Sequence, residues 1–226
     1  MKEAYIMNEK LIYENALSTK EDIKDFVLEG KAIIDFVDES MQLKNALANE
    51  EGQKANYVLW CPEDFPENIK IEWEFKPLSN DGLCIMFFGA TGQGGVDLFD
   101  ENLKKRTGEY PQYHSSDINA FHVSYFRRKE QDEKSFHTCN LRKSSGFHLV
   151  AQGADPIPCS YHINDFYKIT VTKKDKWIKF YVNDLCVFTY EDDGITYGER
   201  LYGGKIGFRQ LAPLTAQYKN LKVFEI

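Results

Sequence analysis

An all-β fold, two antiparallel sheets packed face to face as a sandwich, is what this chain predicts. Three observations carry that expectation. More than ten short runs rich in β-branched and aromatic residues recur along the 226 residues. Turn-forming residues separate the runs, and little of the sequence reads as helix. No internal repeat, low-complexity linker or shift in composition divides the chain, so residues 1–226 read as one domain.

A short helix is expected over 19–26, with Ser18 or Thr19 as its cap. Strands follow over 31–37, 56–60, 69–75 and 83–88, then over 119–128 and 136–142. Later strands are expected over 147–151, 167–172, 177–182, 187–190, 204–209 and 218–224. Asp175-Lys176 and Asn183-Asp184 suit tight hairpin turns, because Asn and Asp tolerate a left-handed backbone. Two long irregular segments, 89–118 and 153–164, flank the strands of 117–142 in sequence. Loops of that length in a compact domain are usually functional or mobile, so they are expected to wall a cleft.

Composition narrows the partners. The chain is 42% hydrophobic and 14% aromatic, ample for a core, and its formal net charge is −7. That charge speaks against nucleic acid or an anionic membrane surface as the main partner. No stretch is long and apolar enough to span a bilayer. The first ten residues lack the apolar core of a secretory signal. The five dispersed cysteines share no metal-ligand spacing, and Cys84, Cys139 and Cys186 sit in apolar runs. Reduced thiols and a cytoplasmic location are therefore expected. No metal and no cofactor is expected: there is no H-E-x-x-H pattern, and the glycines of 89–95 lack a phosphate loop's Lys-Ser/Thr ending. The oligomeric state stays open, a homodimer included.

Two resemblances sharpen the fold. The runs YKITV (167–171), WIKFYVND (177–184), GKIGFR (204–209) and KNLKV (219–223) look like the closing strands of concanavalin-A-like lectin and glucanase domains. Over nearly the whole chain, LWCPEDFP (59–66), DLFD (97–100), KRTG (105–108), DINA (117–120), SYFRR (124–128), TCNLRK (138–143) and GADP (153–156) resemble the YesU-like family. That bacterial family is associated with the breakdown of pectin-type and other acidic plant polysaccharides. The resemblance implies a jelly-roll sandwich with a concave groove and a carbohydrate context. It carries over no catalytic residues.

The candidate site rests on alternation. Side chains on a strand point to opposite faces in turn. If Phe121, Val123, Cys139 and Leu141 face a core, then His122, Ser124, Arg128, Asn140 and Arg142 share the other face, and Arg209 joins them from 204–209. A guanidinium fork suits a carboxylate, so Arg128, Arg142 and Arg209 point to a uronate-bearing sugar. The alternative is that these arginines are ion-paired within the sheet. His122 is placed for proton transfer, with Tyr125 beside it. Trp60 is a candidate stacking platform and His114 a rim residue.

No strand carries the closely spaced carboxylates of a retaining glycosidase; Glu72 and Glu74 come nearest and read as an exposed polar edge. Three functions remain. One is an enzyme acting on acidic plant or algal oligosaccharides by β-elimination. The second is a non-catalytic oligosaccharide-binding protein. The third is a hydrolase whose acids, Asp117, Asp155 or Glu109, come from loops. The first two require His122, Arg128, Asn140 and Arg142 to converge in one open cleft.

Overall fold

The computed structural model describes residues 9–226. Their strands are, in order, β1 (Lys10–Asn15), β2 (Val27–Gly30), β3 (Ala32–Val37), β4 (Ser40–Asn45), β5 (Tyr57–Trp60), β6 (Ile69–Pro77), β7 (Gly82–Gly92) and β8 (Ile118–Arg128). There follow β9 (Thr138–Ser144), β10 (His148–Ala154), β11 (Tyr167–Lys174), β12 (Trp177–Val182), β13 (Leu185–Glu191), β14 (Lys205–Leu211) and β15 (Thr215–Glu225). One sheet has the order β13-β12-β11-β6-β15-β4-β3, with β1 added on β15; the other runs β10-β9-β8-β7-β14-β5-β2. Every strand pairing in both is antiparallel.

The jelly-roll sandwich is thus the observed fold. Alternation builds its core: along β6, Ile69, Ile71, Trp73 and Phe75 are buried, while Glu72 and Glu74 between them face outward against Lys70 and Lys219. The second sheet contributes Cys84, Met86 and Phe88 from β7 and Phe121 and Val123 from β8. Asp175 and Asn183 turn their hairpins with φ of 52°, as their side chains allow. Three strands went unrecognised in the sequence, β1, β2 and β4. The expected helix over 19–26 is present only as a single turn, Glu21–Ile23, with the Asp22 carboxylate accepting the backbone N–H of Ser18 and Thr19 ahead of it. Cys186, expected in the core, is exposed on the edge strand β13.

Both long loops behave differently from two cleft walls. The segment 153–164 closes the side of the sandwich, sending Ile157 and Ile163 into the core. The segment between β7 and β8 lies across the outer face of the second sheet and forms a second apolar core there. Leu98 and Tyr113, with α1 (Pro111–His114) carrying the latter, cover Trp60, Ile85 and Phe87. A polar clamp fixes this roof. Arg106 donates to both oxygens of Glu29 at 3.0 and 3.1 Å and to Leu98 O, and Glu29 also accepts from Trp60 Nε1 at 2.9 Å. Gly108 passes so close to β5 that a Cβ there would lie 2.0 Å from Asn56 O, at a φ of +99°.

Arg106 and Glu29 side chains are 4% and 10% exposed, so breaking the pair leaves a charge buried. Replacing Glu29 with leucine orphans Arg106 and the Trp60 indole together. The expected loss is about 3 kcal/mol of unfolding free energy, measured by urea denaturation.

Candidate functional site

Register across the second sheet sets the candidate residues in two rows on its outer face. One row runs Val58–Arg209–Ile85–Ser124–Asn140, and the next runs Trp60–Gly207–Phe87–His122–Arg142. His122, Ser124, Asn140, Arg142 and Arg209 therefore lie on the face expected from alternation, and Trp60 lies there with them. The roof then decides which of them meet solvent.

Trp60 and Arg209 are fully buried beneath it. The Trp60 ring packs on Phe87 and Tyr113 with centroids 5.3 and 6.4 Å apart, so no sugar reaches it as a platform. Arg209 donates to Gly108 O at 2.7 Å, and its Nε and Nη2 find no partner among the described residues. Its charge is held against the faces of Tyr110 and Tyr113, 4.8 and 5.2 Å from their centroids. His122 is 1% exposed, with Tyr110 Oη 2.9 Å from Nδ1 and Ser144 Oγ 3.0 Å from Nε2. Burial, then the charges of Arg142, His114 and Arg209, pull its pKa well below the usual histidine range. His122 is a neutral, doubly hydrogen-bonded ring rather than an open acid or base.

Two expected members leave the site altogether. Tyr125 faces the sandwich core, where Trp73 Nε1 donates to its hydroxyl at 2.9 Å and Phe75 packs on its ring. Arg128 is displaced by a β-bulge. Cys84 pairs with Tyr125 but Gly82 pairs with Arg128, so β8 holds one residue more than β7. Phe126 absorbs it with a φ of 47° and turns into the core. Every side chain beyond the bulge changes face. Arg128 lands on the core side, where it meets Asp155 at 3.0 Å and Ile157 O at 2.9 Å and ties down 153–164. Burial nonetheless pushes the Asp155 carboxyl up. Arg127 takes the outward position instead.

What remains open is a pocket of about 190 Å³ between β8, β9 and the roof, lined by Ser124, Asn140, Arg142, Arg127, Tyr110 and Phe147, among others. Arg127 is engaged by Thr138 and Glu133. Glu133 accepts in addition from the backbone of Lys129 and Glu130 and caps α2 (Gln131–Ser135). Arg142 has no acidic partner among the described residues. It lies 3.9 Å over the Phe147 ring and gives one hydrogen bond among them, from Nη1 to Phe147 O. Tyr110 stands beside it, its hydroxyl pushed up to about 12 by burial against the pull of Arg209 and Arg142. His114 sits at the rim, its ring 4.1 Å from that of Phe147.

The convergence expected of His122, Arg128, Asn140 and Arg142 is not met in full: Asn140 and Arg142 line the pocket, but His122 is buried behind it and Arg128 lies on the core side, with Arg127 in its place. Tyr110, which holds His122, is legible in the sequence only as a secondary candidate, with Tyr113 and Tyr125, for stacking or proton donation. The loop acids are all in structural use. Asp117 accepts from Lys104 N and Ser116, Asp155 holds Arg128, and Glu109 accepts from Gln112. Asp97 and Asp100 each accept from a backbone N–H two residues on, as Asx turns do. Among the described residues no three His, Cys, Asp or Glu side chains gather as a metal site, and no helix is long and apolar enough to cross a membrane.

Comparison with known proteins bears on this geometry. The model of a domain of unknown function, DUF1961, matches residues 10–223. The chain belongs to that family. It is 48% identical over 214 residues to the uncharacterized protein YesU of Bacillus subtilis strain 168, covering 95% of each chain. A crystal structure of a protein of unknown function with a galectin-like fold, also from Bacillus subtilis, superposes with a TM-score of 0.92 at 47% identity over 96% of each chain. A κ-carrageenase from Pseudoalteromonas carrageenovora, solved with an oligotetrasaccharide of κ-carrageenan, shares the fold at a TM-score of 0.57 and 11% identity, covering 100% of this chain and 99% of that one.

The neutral, buried His122 carries a pH consequence. Its pKa is depressed by folding, so below the unfolded value near 6.5 the unfolded chain binds a proton that the native ring refuses. Stability from this residue is present above pH 6.5 and lost on acidification. Between pH 7 and 5.5 the unfolding free energy should fall by about 1 kcal/mol more in the parent protein than in His122→Gln, read from urea denaturation at both pH values.

Proposed function

We propose that this protein binds the acidic, uronate-bearing end of a plant or algal oligosaccharide in the Arg142 pocket. The observation that carries the reading is the Arg142 guanidinium, seated on Phe147 with donors free and Asn140 and Ser124 beside it. A fork of that kind matches a carboxylate in two hydrogen bonds. The pocket volume of about 190 Å³ is below the 300–1,000 Å³ of ordinary ligand sites. It suits one sugar residue, held by its charged group, with the rest of the chain outside. The carbohydrate ligand of the carrageenase that shares the fold supports the ligand class.

A specific contact favours a second reading, that the bound sugar is also cleaved by β-elimination. The Tyr110 hydroxyl rests on the neutral His122 ring beside the arginine that would neutralise the uronate. In one exchange Tyr110 would give its proton to the leaving glycosidic oxygen and take the proton α to the carboxylate, as the C–O bond breaks and a C–C double bond forms, with His122 only orienting the hydroxyl. Hydrolysis has less support, since each loop acid and Glu133 already has structural partners.

Titration of digalacturonate and unsaturated digalacturonate by calorimetry tests the binding claim. Arg142→Ala should weaken binding at least about tenfold, the loss expected of one charged hydrogen-bond partner; equal affinity in the variant refutes it. Mass spectrometry of oligogalacturonates after incubation tests the chemistry. Products whose masses sum to the substrate indicate elimination, which Tyr110→Phe should abolish while leaving affinity within a few-fold. A gain of water would contradict elimination.

A further inference from the structure

A second cleft opens at the end of the same sheet. Its volume is about 700 Å³, and it is bounded by the ends of β7 and β9, the start of β8 and the loop 197–203. Two tyrosines of that loop are exposed, Tyr202 at 61% and Tyr197 at 36%, the first with the Arg200 guanidinium 5.8 Å from its ring centroid. Exposed aromatic rings beside polar groups are what the C–H faces and hydroxyls of a sugar require. Polar partners are at hand in Asn119, Ser145 and Arg200.

The walls are built rigidly. Lys143, 2% exposed, donates to Asp192 at 2.7 Å and to Gly198 O at 3.1 Å, and Asp192 accepts in turn from Leu201 N. The Tyr197 ring is packed against His148 with centroids 4.9 Å apart. Gly203 runs so near Phe65 that a Cβ would lie 2.3 Å from its carbonyl oxygen. A loop held at both ends loses little freedom when it binds.

Charge separates this cleft from the Arg142 pocket. Both of its cations are ion-paired, Lys143 with Asp192 and Arg200 with Glu67 at 2.7 Å each, Glu67 being shared with Lys173. The remaining charged side chain on its lining is the exposed carboxylate of Glu199. Each cation here already has an acid partner, so a uronate finds less compensation than at Arg142, which has none among the described residues. We infer that the cleft is a second carbohydrate site, taking an uncharged sugar unit against Tyr202 and Tyr197. From Arg142 to Ser144, the last residue of β9, is two residues of strand, roughly 7 Å, so one branched oligosaccharide can reach both sites.

The test is calorimetric titration of the intact protein with galactotetraose, arabinotetraose and cellotetraose, in parallel with digalacturonate. At least one neutral tetrasaccharide should bind. Tyr202→Ala, a change at an exposed side chain, should weaken it tenfold or more, and Arg142→Ala should leave it unchanged. Digalacturonate should show the converse, so a failure of the acidic site and a failure of this one are told apart. Absence of binding by all three neutral probes overturns the inference. So does binding that Arg142→Ala abolishes and Tyr202→Ala spares.

Discussion

The Arg106–Glu29–Trp60 clamp is the interaction on which the rest of this site depends. A sandwich sheet with an apolar outer face must cover it, and here the 96–117 segment does so with Leu98 and Tyr113. Burying such side chains contributes roughly 1.5–3 kcal/mol each, but that attraction is non-directional. The clamp supplies direction. Glu29 ties β2 and β5 to the roof through two donors of different chemistry, an indole and a guanidinium. With the roof fixed there, most of the outer face becomes core, and only the part over β8 and β9 stays open.

The roof also sets the chemistry of the groups beneath it. Arg209 is enclosed without an acidic partner, and its charge is felt by Tyr110, His114 and His122. That field, added to desolvation, keeps His122 neutral and lets it serve as a hydrogen-bond support for Tyr110. A polar residue that looks catalytic in the sequence thus becomes a positioning group, and a half-buried loop tyrosine stands between it and the pocket.

Much of this was legible in the sequence because strand alternation is a local rule. The face shared by His122, Ser124, Asn140 and Arg142 follows from counting, and antiparallel register brought Trp60 and Arg209 alongside. Counting fails where one residue is inserted. The bulge at Phe126 has no compositional mark, since a bulky aromatic at φ 47° is held there by packing against Phe75 rather than by its own preference. Arg127 and Arg128 therefore exchanged roles. The roof was equally opaque. Its apolar residues have no period, and nothing in their spacing says whether 89–118 walls a groove or fills it. Membership of the DUF1961 family was carried by long ordered motifs, several of which, KRTG and GADP among them, now prove to be the clamp and the Arg128 anchor.

The most direct measurement of the central claim is a crystal structure of the protein soaked with unsaturated digalacturonate. The uronate carboxylate should lie within hydrogen-bond distance of Arg142, with Tyr110 facing the ring and the roof unmoved. A sugar bound elsewhere on the sheet, or one admitted only after the 96–117 segment lifts from Trp60, would contradict it.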